Sequence, residues 1–319
     1  GWKVFEVDGH DPEAIHRIYQ RAEKVTGQPV LVIATTHIGY GAPVWGCYYN
    51  SSQEANYFSW ATANMCGQAA FLSDLPANPL VPRFEEWGAS AANMTKQASS
   101  VCEVAVLFSG YSRDWNRGVC FAHEALGLAQ ELERLHVSYE FIGDMSVNAK
   151  QLAKYKVLFV GAAQCVDDAE VAAIKAFAKR GGRVYLRPDA GTRDEIGEVR
   201  ATPAFAAELG DAASGFAEMP SALDFHSEEI SIGRTFAFDP DAKAEAAFSS
   251  WLADACRGAT AWSVENLPDR VFTTIWREKD GATVVHFLNA TGRDVKVGET
   301  VKPDAPKDPF PALKKDIVF

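Results

Sequence analysis

The sequence predicts an α/β protein, and three observations favour this class. Short apolar runs alternate with amphipathic helical patterns between residues 103 and 190. A separate strand–helix–strand pattern occupies residues 2–34, and several short strands with turn residues between them follow after residue 222. Alternating strands and helices are typical of a parallel sheet, whereas consecutive strands joined by tight turns indicate an antiparallel one.

The N-terminal segment predicts one β-α-β unit over residues 1–43. Residues 2–7 alternate as a strand, and Asp11 can cap a helix that begins at Pro12. Apolar residues then recur at helical spacing, and the strand Pro29–Ala34 follows Gly27. One such unit cannot bury both faces of its own sheet.

Residues 44–100 are predicted to be a helical lead-in with a linker. Apolar spacing predicts helices over Glu54–Ala70 and Phe84–Ser99. Three prolines between them, which predict a rigid extended connector, are Pro76, Pro79 and Pro82.

Residues 101–221 carry the strongest pattern. Helical patterns at Phe121–Leu135, near Ala149–Ala153 and after the capping-box pair Asp167 and Glu170 separate the strands. The predicted strands are Glu103–Phe108, Val137–Ile142, Lys156–Val160 and Arg183–Arg187. This order predicts a parallel, flavodoxin-like sheet with helices on both faces.

Residues 222–319 are predicted to form a small antiparallel β domain. A single helix near Ala244–Cys256 interrupts the strands, and turn residues such as Asp280-Gly281 separate them. The predicted strands are Glu229–Ile232, Val271–Trp276, Thr283–Leu288 and Asp294–Val297.

Composition excludes several classes of function. A net charge of −11 argues against a nucleic-acid partner, which would need a basic face. No apolar run reaches the ~18 residues of a membrane span, and no signal-peptide pattern opens the chain. Six cysteines without CxxC spacing predict a reducing, cytoplasmic setting rather than a zinc site or a disulfide framework. Because Gly1 already lies within a strand pattern, the natural N-terminus is expected upstream.

Two sequence stretches resemble transketolase: Val-Asp-Gly-His-Asp at residues 7–11 and Val-Ile-Ala-Thr-Thr-His-Ile-Gly-Tyr-Gly-Ala-Pro at residues 32–43. The resemblance implies part of a thiamine-diphosphate-binding domain. The family's Gly-Asp-Gly cofactor motif would lie upstream of Gly1, and residues 44–49 replace its histidine-containing stretch. The resemblance therefore implies neither bound cofactor nor transferase activity for this chain.

Residues 47–319 resemble the later part of family-42 β-galactosidases. The stretches that carry this resemblance are residues 61–71, 102–109, 181–184, 194–200 and 284–289. They are similar to the end of the barrel, the trimerisation domain and the C-terminal β domain of that family. Such enzymes use two carboxylates on earlier barrel strands, which this sequence lacks.

The second resemblance implies a partial glycoside hydrolase whose residues support assembly as a homo-oligomer, with a trimer as the expected form. It implies no catalytic, cofactor-binding or metal-binding residue, so whether the chain is itself an enzyme stays open. Two alternatives also stay open: a fragment of a thiamine-diphosphate-dependent transferase, and a mis-joined chain without a function of its own. Packing at the junction near Pro43–Cys47 should discriminate between a partial glycoside hydrolase and a mis-joined chain, because a real join would bury the apolar faces of the first unit.

Candidate site residues each have a simpler structural interpretation. Cys165 lies between a strand and a helix, as nucleophiles do in class I glutamine amidotransferases, which the trimerisation domain also resembles. In that family the elbow would follow Arg183–Arg187, where Pro188-Asp189 stands, so Cys165 is expected to be inert. His123-Glu124 lacks the second histidine of a zinc HExxH motif.

Aromatic residues in the lead-in are the candidate carbohydrate contacts. Aromatic rings stack on sugar faces, although they serve more often as core or interface residues. The residues predicted for this contact are Trp45, Tyr48, Tyr49 and Trp60.

Overall fold

The structure is a computed structural model with two compact units, Gly1–Pro79 and Leu80–Phe319. The residues that it describes are 1–8, 11–35, 45–48, 60–67, 69–72, 98–115, 121–209, 211, 213–220, 226–230, 233–237, 242–264, 266–268 and 271–289. The predicted strand Asp294–Val297, the proline connector and most of the predicted helix Phe84–Ser99 lie outside those ranges.

The first unit opens with the predicted β-α-β arrangement. Strands β1 (Lys3–Asp8) and β2 (Val30–Thr35) pair in parallel, and helix α1 (Pro12–Ala22) joins them. Asp11 caps the helix, with its Oδ1 accepting the N–H of Ala14 at 2.8 Å. This confirms the predicted start of α1, where the side-chain oxygen satisfies a backbone donor that the helix leaves free.

The two faces of this sheet are unequally covered. Phe5 is 9% exposed and lies beneath α1, with the guanidinium of Arg21 5.2 Å from its ring centre. On the opposite face, Val4, Leu31 and Ile33 are 45%, 43% and 43% exposed. Two strands and one helix thus leave an apolar sheet face in contact with solvent.

A second parallel pair follows in the same unit. Strands β3 (Trp45–Tyr48) and β4 (Ala69–Leu72) are hydrogen-bonded to each other, and residues 60–65 form a helical segment between them. The predicted helix Glu54–Ala70 is therefore wrong at its C-terminal end, where Ala69 and Ala70 are in β4. Gly67 has φ +70°, a left-handed conformation that ends a helix readily.

The second unit contains a five-stranded parallel sheet in the order β7-β6-β8-β9-β10. Its strands are β6 (Val104–Phe108), β7 (Glu140–Gly143), β8 (Val157–Gly161), β9 (Arg183–Leu186) and β10 (Phe216–Glu218). The helices between them are α2 (Gly110–Trp115), α3 (Phe121–Arg134), α4 (Ala149–Leu152), α5 (Asp168–Lys179) and α6 (Ala206–Leu209).

The core of this unit centres on β8. All five residues of β8 are buried, so both faces of the sheet are covered there. The ring of Phe159 stacks on that of Tyr185 with centres 5.3 Å apart, and Trp251 meets both rings edge-on. Trp251 belongs to helix α7 (Ala242–Cys256), so a helix predicted for the β-rich C-terminal domain packs on the parallel sheet.

Two antiparallel sheets complete the second unit. Strands β11 (His226–Ile230) and β12 (Gly233–Ala237) form a hairpin. Strands β13 (Val271–Arg277) and β14 (Thr283–Asn289) form another, to which the short β5 (Ser99–Ser100) adds a third strand. Ser99 is thus in a strand, which corrects the C-terminal end of the predicted helix Phe84–Ser99.

The α/β class is therefore observed, with several elements that the sequence pattern missed. Helices α2 and α6 and strands β3, β4, β5, β10 and β12 were not predicted. Each is six residues or fewer, too short for a periodic pattern to stand out. Strand β10 matters most, because it extends the predicted four-stranded sheet to five.

Candidate functional site

Four buried polar residues of the second unit lie near the carboxyl ends of the parallel strands: Ser109, Ser112, Glu124 and Glu170. From β6 the chain crosses to β7 on one side, whereas β8, β9 and β10 follow on the other side. In open α/β sheets this reversal creates a crevice at the carboxyl ends of the strands, where ligands bind. Ser109, Ala162 and Arg187 lie directly after β6, β8 and β9 and mark this edge.

Cys165 is built into the edge as a structural residue. It is fully buried, and burial raises the pKa of its thiol above the ordinary value. Its backbone oxygen accepts hydrogen bonds from the hydroxyls of Ser109 (3.2 Å) and Ser112 (3.1 Å), and its N–H donates to the Ser112 hydroxyl at 3.0 Å. A thiol that is both buried and harder to ionise is a poor nucleophile.

Glu124 on α3 is a buried acid beside the end of β8. It is 6% exposed, and its Oε2 accepts the N–H of Ala162 at 3.1 Å. Gly161 has φ +59°, and a Cβ added there would meet the Glu124 carboxyl carbon at 3.7 Å. Burial raises the pKa of Glu124 to about 7; the Arg187 charge opposes this rise and Asp189 adds to it.

Two residues after β9 complete the surroundings of Glu124. The guanidinium of Arg187 lies 3.6 Å from Glu124 Oε1, which is an ion-pair distance rather than a hydrogen bond. Asp189 accepts a hydrogen bond from the side-chain amide of Gln164 at 2.8 Å. The Glu124 carboxyl can hold or release a proton near neutral pH, but most of it is closed to solvent.

A second acidic group lies beyond β6 and β7. Glu170 is 1% exposed, and its Oε2 accepts the N–H of Asp167, which completes the predicted capping box. Asp144 follows β7, and its Oδ2 accepts the N–H groups of Gly110 (2.6 Å) and Tyr111 (3.3 Å). Burial raises the pKa of Glu170 to about 8, and the nearby Asp144 and Asp167 charges add to this rise.

Two different sequence signals point to these acids. The capping-box spacing predicted the position of Glu170 but not its burial. Glu124 entered the sequence analysis only as part of an incomplete metal motif with His123. Its place four residues before Leu128, on the apolar side of α3, was the signal that it turns inward.

The predicted carbohydrate contacts belong to the first unit. Trp45 and Tyr48 are at the two ends of β3, which pairs with β4, and the structure describes their backbone alone. Tyr49 lies outside the described residues. Trp60 begins the helical segment 60–65 half-buried, and its backbone oxygen accepts a hydrogen bond from the Asn64 amide at 2.8 Å. A shared sugar-binding face of these four residues stays a prediction.

A shallow cleft of about 580 Å³ lies at the opposite, amino edge of the sheet. Lys179 and Arg183 line it, together with Lys175 and Glu208, whose side chains form an ion pair at 2.8 Å. Both lysines lie in the last two turns of α5, where cations are favoured by the helix dipole. The cleft is therefore explained without a ligand.

Within the described ranges, no three His, Cys, Asp or Glu side chains come together as a metal site. No helix in that part of the chain combines the length and the apolar character needed to cross a membrane.

The N-terminal segment matches a known family. The family model for the thiamine diphosphate binding domain of transketolase matches residues 1–52. The transketolase of Buchnera aphidicola subsp. Acyrthosiphon pisum (strain APS) is 44% identical over 43 residues, which are 13% of this chain and 6% of that protein. These matches confirm the predicted resemblance and cover a small part of either chain.

The chain as a whole is similar to solved carbohydrate enzymes. The β-galactosidase from Bacillus circulans sp. alkalophilus has a TM-score of 0.53 at 13% identity, covering 90% of this chain and 57% of its own. The β-galactosidase from Rahnella sp. R3 has a TM-score of 0.53 at 13% identity, covering 75% and 46%. The α-L-fucosidase isoenzyme 2 from Paenibacillus thiaminolyticus has a TM-score of 0.50 at 16% identity, covering 86% and 52%.

These structures confirm the predicted resemblance to β-galactosidases at the level of fold. The chain spans about half the length of each of them. The activities in their names belong to those proteins.

Proposed function

We propose that this chain is part of a glycoside hydrolase of the β-galactosidase type, in which its residues serve assembly and support rather than bond cleavage. The fold shared with two β-galactosidases carries the proposal. Counted in chain order, the five parallel strands stand as 2-1-3-4-5, the order of a flavodoxin-like sheet, which supports the trimerisation-domain interpretation.

The environment of the buried acids supports a non-hydrolytic role. A glycosidase needs two carboxyl groups that face the same glycosidic bond. Glu124 and Glu170 have the raised pKa values of candidate acids, but they are 6% and 1% exposed. A backbone N–H already binds one oxygen of each carboxyl. Neither group has the open face that a sugar ring would require.

An exposed apolar cluster supports self-association. Trp115, Ile196 and Val199 are 53%, 55% and 71% exposed, and we call them the Trp115 patch. The loop that carries Ile196 and Val199 packs on Trp115, because a Cβ added at Gly197 would lie 3.0 Å from the Trp115 Cβ. An apolar patch of this kind is typical of a protein–protein interface.

The loop that presents this patch is well anchored. Arg193 donates to the backbone oxygen of Gly197 at 2.7 Å. Arg200 donates to Asp168 at 2.6 Å and to the backbone oxygen of Val166 at 2.7 Å. A rigid apolar surface loses little entropy on association, so we propose it as the contact between copies of this chain.

Cysteine chemistry supports the proposed cytoplasmic setting. In the described ranges Cys102, Cys165 and Cys256 are buried and form no disulfide. Reduced thiols are typical of a reducing compartment.

The hydrolytic part of the proposal is tested with nitrophenyl β-galactoside and the purified full chain. We expect no turnover above the buffer rate, with a full-length β-galactosidase as the positive control. Robust hydrolysis that disappears on substitution of a single glutamate, such as Glu124→Gln or Glu170→Gln, would contradict the proposal.

A thiamine-diphosphate transferase fragment is the second candidate, favoured by the family match over residues 1–52. The described residues of this segment do not fit a diphosphate. The N-terminus of α1 is already occupied by the Asp11 carboxylate, and Glu13 follows in the first turn. Both would repel an anion there. Calorimetric titration with thiamine diphosphate and Mg²⁺ should therefore show no binding; saturable binding would favour this candidate.

A mis-joined chain is the third candidate, and the bare sheet face of the first unit favours it. Of the discriminating junction, residues 43–47, the structure describes only the backbone of residues 45–47, which belong to β3. Val4, Leu31 and Ile33 remain solvent-exposed, which is what the third candidate predicts for an apolar face left without its natural neighbours. Hydrogen exchange of the full chain tests this candidate, because rapid exchange of β1 and β2 would support it and slow exchange would contradict it.

A further inference from the structure

Two carboxyl groups meet at the carboxyl edge of the sheet with one oxygen each left over. Asp144 Oδ2 is used by the N–H groups of Gly110 and Tyr111, and Glu170 Oε2 is used by the N–H of Asp167. The other two oxygens, Asp144 Oδ1 and Glu170 Oε1, are buried and receive no hydrogen bond from the described residues. The segments that carry the two acids are held together, because the hydroxyls of Ser109 and Ser112 donate to the backbone oxygen of Cys165 at 3.2 and 3.1 Å. The Asp144 carboxyl also contributes to the raised pKa of Glu170.

Two ionised carboxylates cannot share such a place at low cost. Both leftover oxygens would be acceptors, and each would be buried without a donor. Like charges in a dry site also repel, so one of the pair keeps its proton well above its usual range. A single proton between the two oxygens removes the repulsion and satisfies both atoms.

We propose that Glu170 and Asp144 hold one shared proton in the folded protein, and that this proton is a pH-sensitive latch. The latch fastens three segments at the sheet edge: the first turn of α2, the turn after β7 and the first turn of α5. Glu170 is the donor, because its side chain is the more deeply buried of the two.

The groups that face the pair favour the protonated state. Asp167 at the N-terminus of α5 adds negative charge beside Glu170. Burial raises the pKa of Tyr111 on α2, and the charges of Glu170, Asp144 and Glu195 add to this rise. Arg193 in the loop after β9 acts on the thiol of Cys165, as Asp144 does, and its guanidinium donates to the Gly197 carbonyl.

The pH window follows from the pKa of Glu170, which rises from 4.5 to about 8 on folding. A group with a raised folded-state pKa stabilises the fold fully below its unfolded pKa, and this contribution is lost as pH rises through the folded value. The latch is therefore closed at neutral pH and opens on the alkaline side.

Carboxyl ¹³C NMR of the full chain measures the latch directly, with the Glu170 signal assigned through its backbone resonances. We expect Glu170 to titrate near 8 rather than near 4.5. Asp144→Asn replaces the charged acceptor by a neutral amide, so the Glu170 midpoint should fall, whereas burial alone would leave it unchanged. A wild-type midpoint near 4.5, or an unchanged midpoint in Asp144→Asn, would overturn the proposal.

Thermal unfolding against pH gives a second readout. The Tm of the wild type should fall as pH rises through about 8, and the fall should be smaller in Glu170→Gln, whose amide can donate to Asp144 at any pH. The exposed Glu198→Gln variant is the matched control and should keep the wild-type slope. An identical slope in Glu170→Gln would overturn the latch; if that variant does not fold, the NMR titrations of wild type and Asp144→Asn decide.

Discussion

Two strand–helix–strand segments share one local design, β1–α1–β2 in the first unit and β8–α5–β9 in the second. Only the second segment is surrounded by a core. In β1–α1–β2 an aspartate, Asp11, caps the helix between two parallel strands, and Asp167 does the same in β8–α5–β9. Leu158 in the second unit is fully buried, whereas Leu31 in the first is 43% exposed. The local pattern thus specifies the strands and the helix, while neighbouring strands and helices on both faces supply the burial.

Truncating these two leucines should give the largest expected difference in stability between the two units. Leu158→Ala should destabilise the second unit by about 2–5 kcal/mol, because it opens a cavity in a filled interior. Leu31→Ala should cost less than about 1 kcal/mol, because solvent already reaches the side chain. Hydrogen exchange read separately from peptides of each unit measures both changes; equal losses of protection would contradict the comparison.

A buried carboxyl group in the second unit should make the stability of the protein depend on pH, whereas an exposed one in the first unit should not. Burial raises the pKa of Glu124 from 4.5 to about 7, so its contribution is fully present below pH 4.5 and is lost as pH rises through about 7. A shift of this size corresponds to roughly 3 kcal/mol.

Denaturant unfolding of Glu124→Gln at several pH values checks this contribution. The variant should lose less stability than the wild type across that window. Glu13→Gln, with a side chain that is 88% exposed on α1, should leave the profile unchanged. If the free energy of unfolding of Glu124→Gln fell with pH as steeply as that of the wild type, the prediction would be contradicted. The Glu124 carboxyl would then be ionised at no cost in the folded state.

Removing the two helix caps should give the smallest difference in stability. Asp167→Ala removes one half of a reciprocal capping box and should cost about 1–2 kcal/mol. Asp11→Ala removes a single hydrogen bond and should cost about 0.5–1 kcal/mol. Exchange rates of the first-turn amides of α5 and α1 measure the two effects. A larger loss in α1 than in α5 would reverse the comparison.

The sequence predicted those elements whose signal is local. The capping pattern at Asp167 and Glu170 and the start of α1 at Pro12 are confirmed, because a cap depends on residues within one turn. Strand β10 and helix α2 were missed, because each is short and stabilised by tertiary contacts. The predicted helix over Ala69 and Ala70 was wrong for the same reason, since pairing with β3 overrides alanine's helix propensity.

The candidate site was less predictable than the fold. Cys165 drew attention by its position after a strand, but the two serines that clamp its backbone come from a segment more than 50 residues earlier. The Asp144–Glu170 pair joins residues that only the sheet order brings together. Pairing across crossovers leaves no periodic trace in a single sequence.

The solution mass of the full chain, measured by light scattering after size exclusion, tests the proposed assembly role most directly. We predict a homo-oligomer, with three chain masses as the expected value. Ile196→Asp or Val199→Asp in the Trp115 patch should reduce the mass to that of one chain. Val285→Asp, at a 40% exposed position in β14, should leave the oligomer intact. A monomeric wild type, or an oligomer unaffected by both patch variants, would contradict the account.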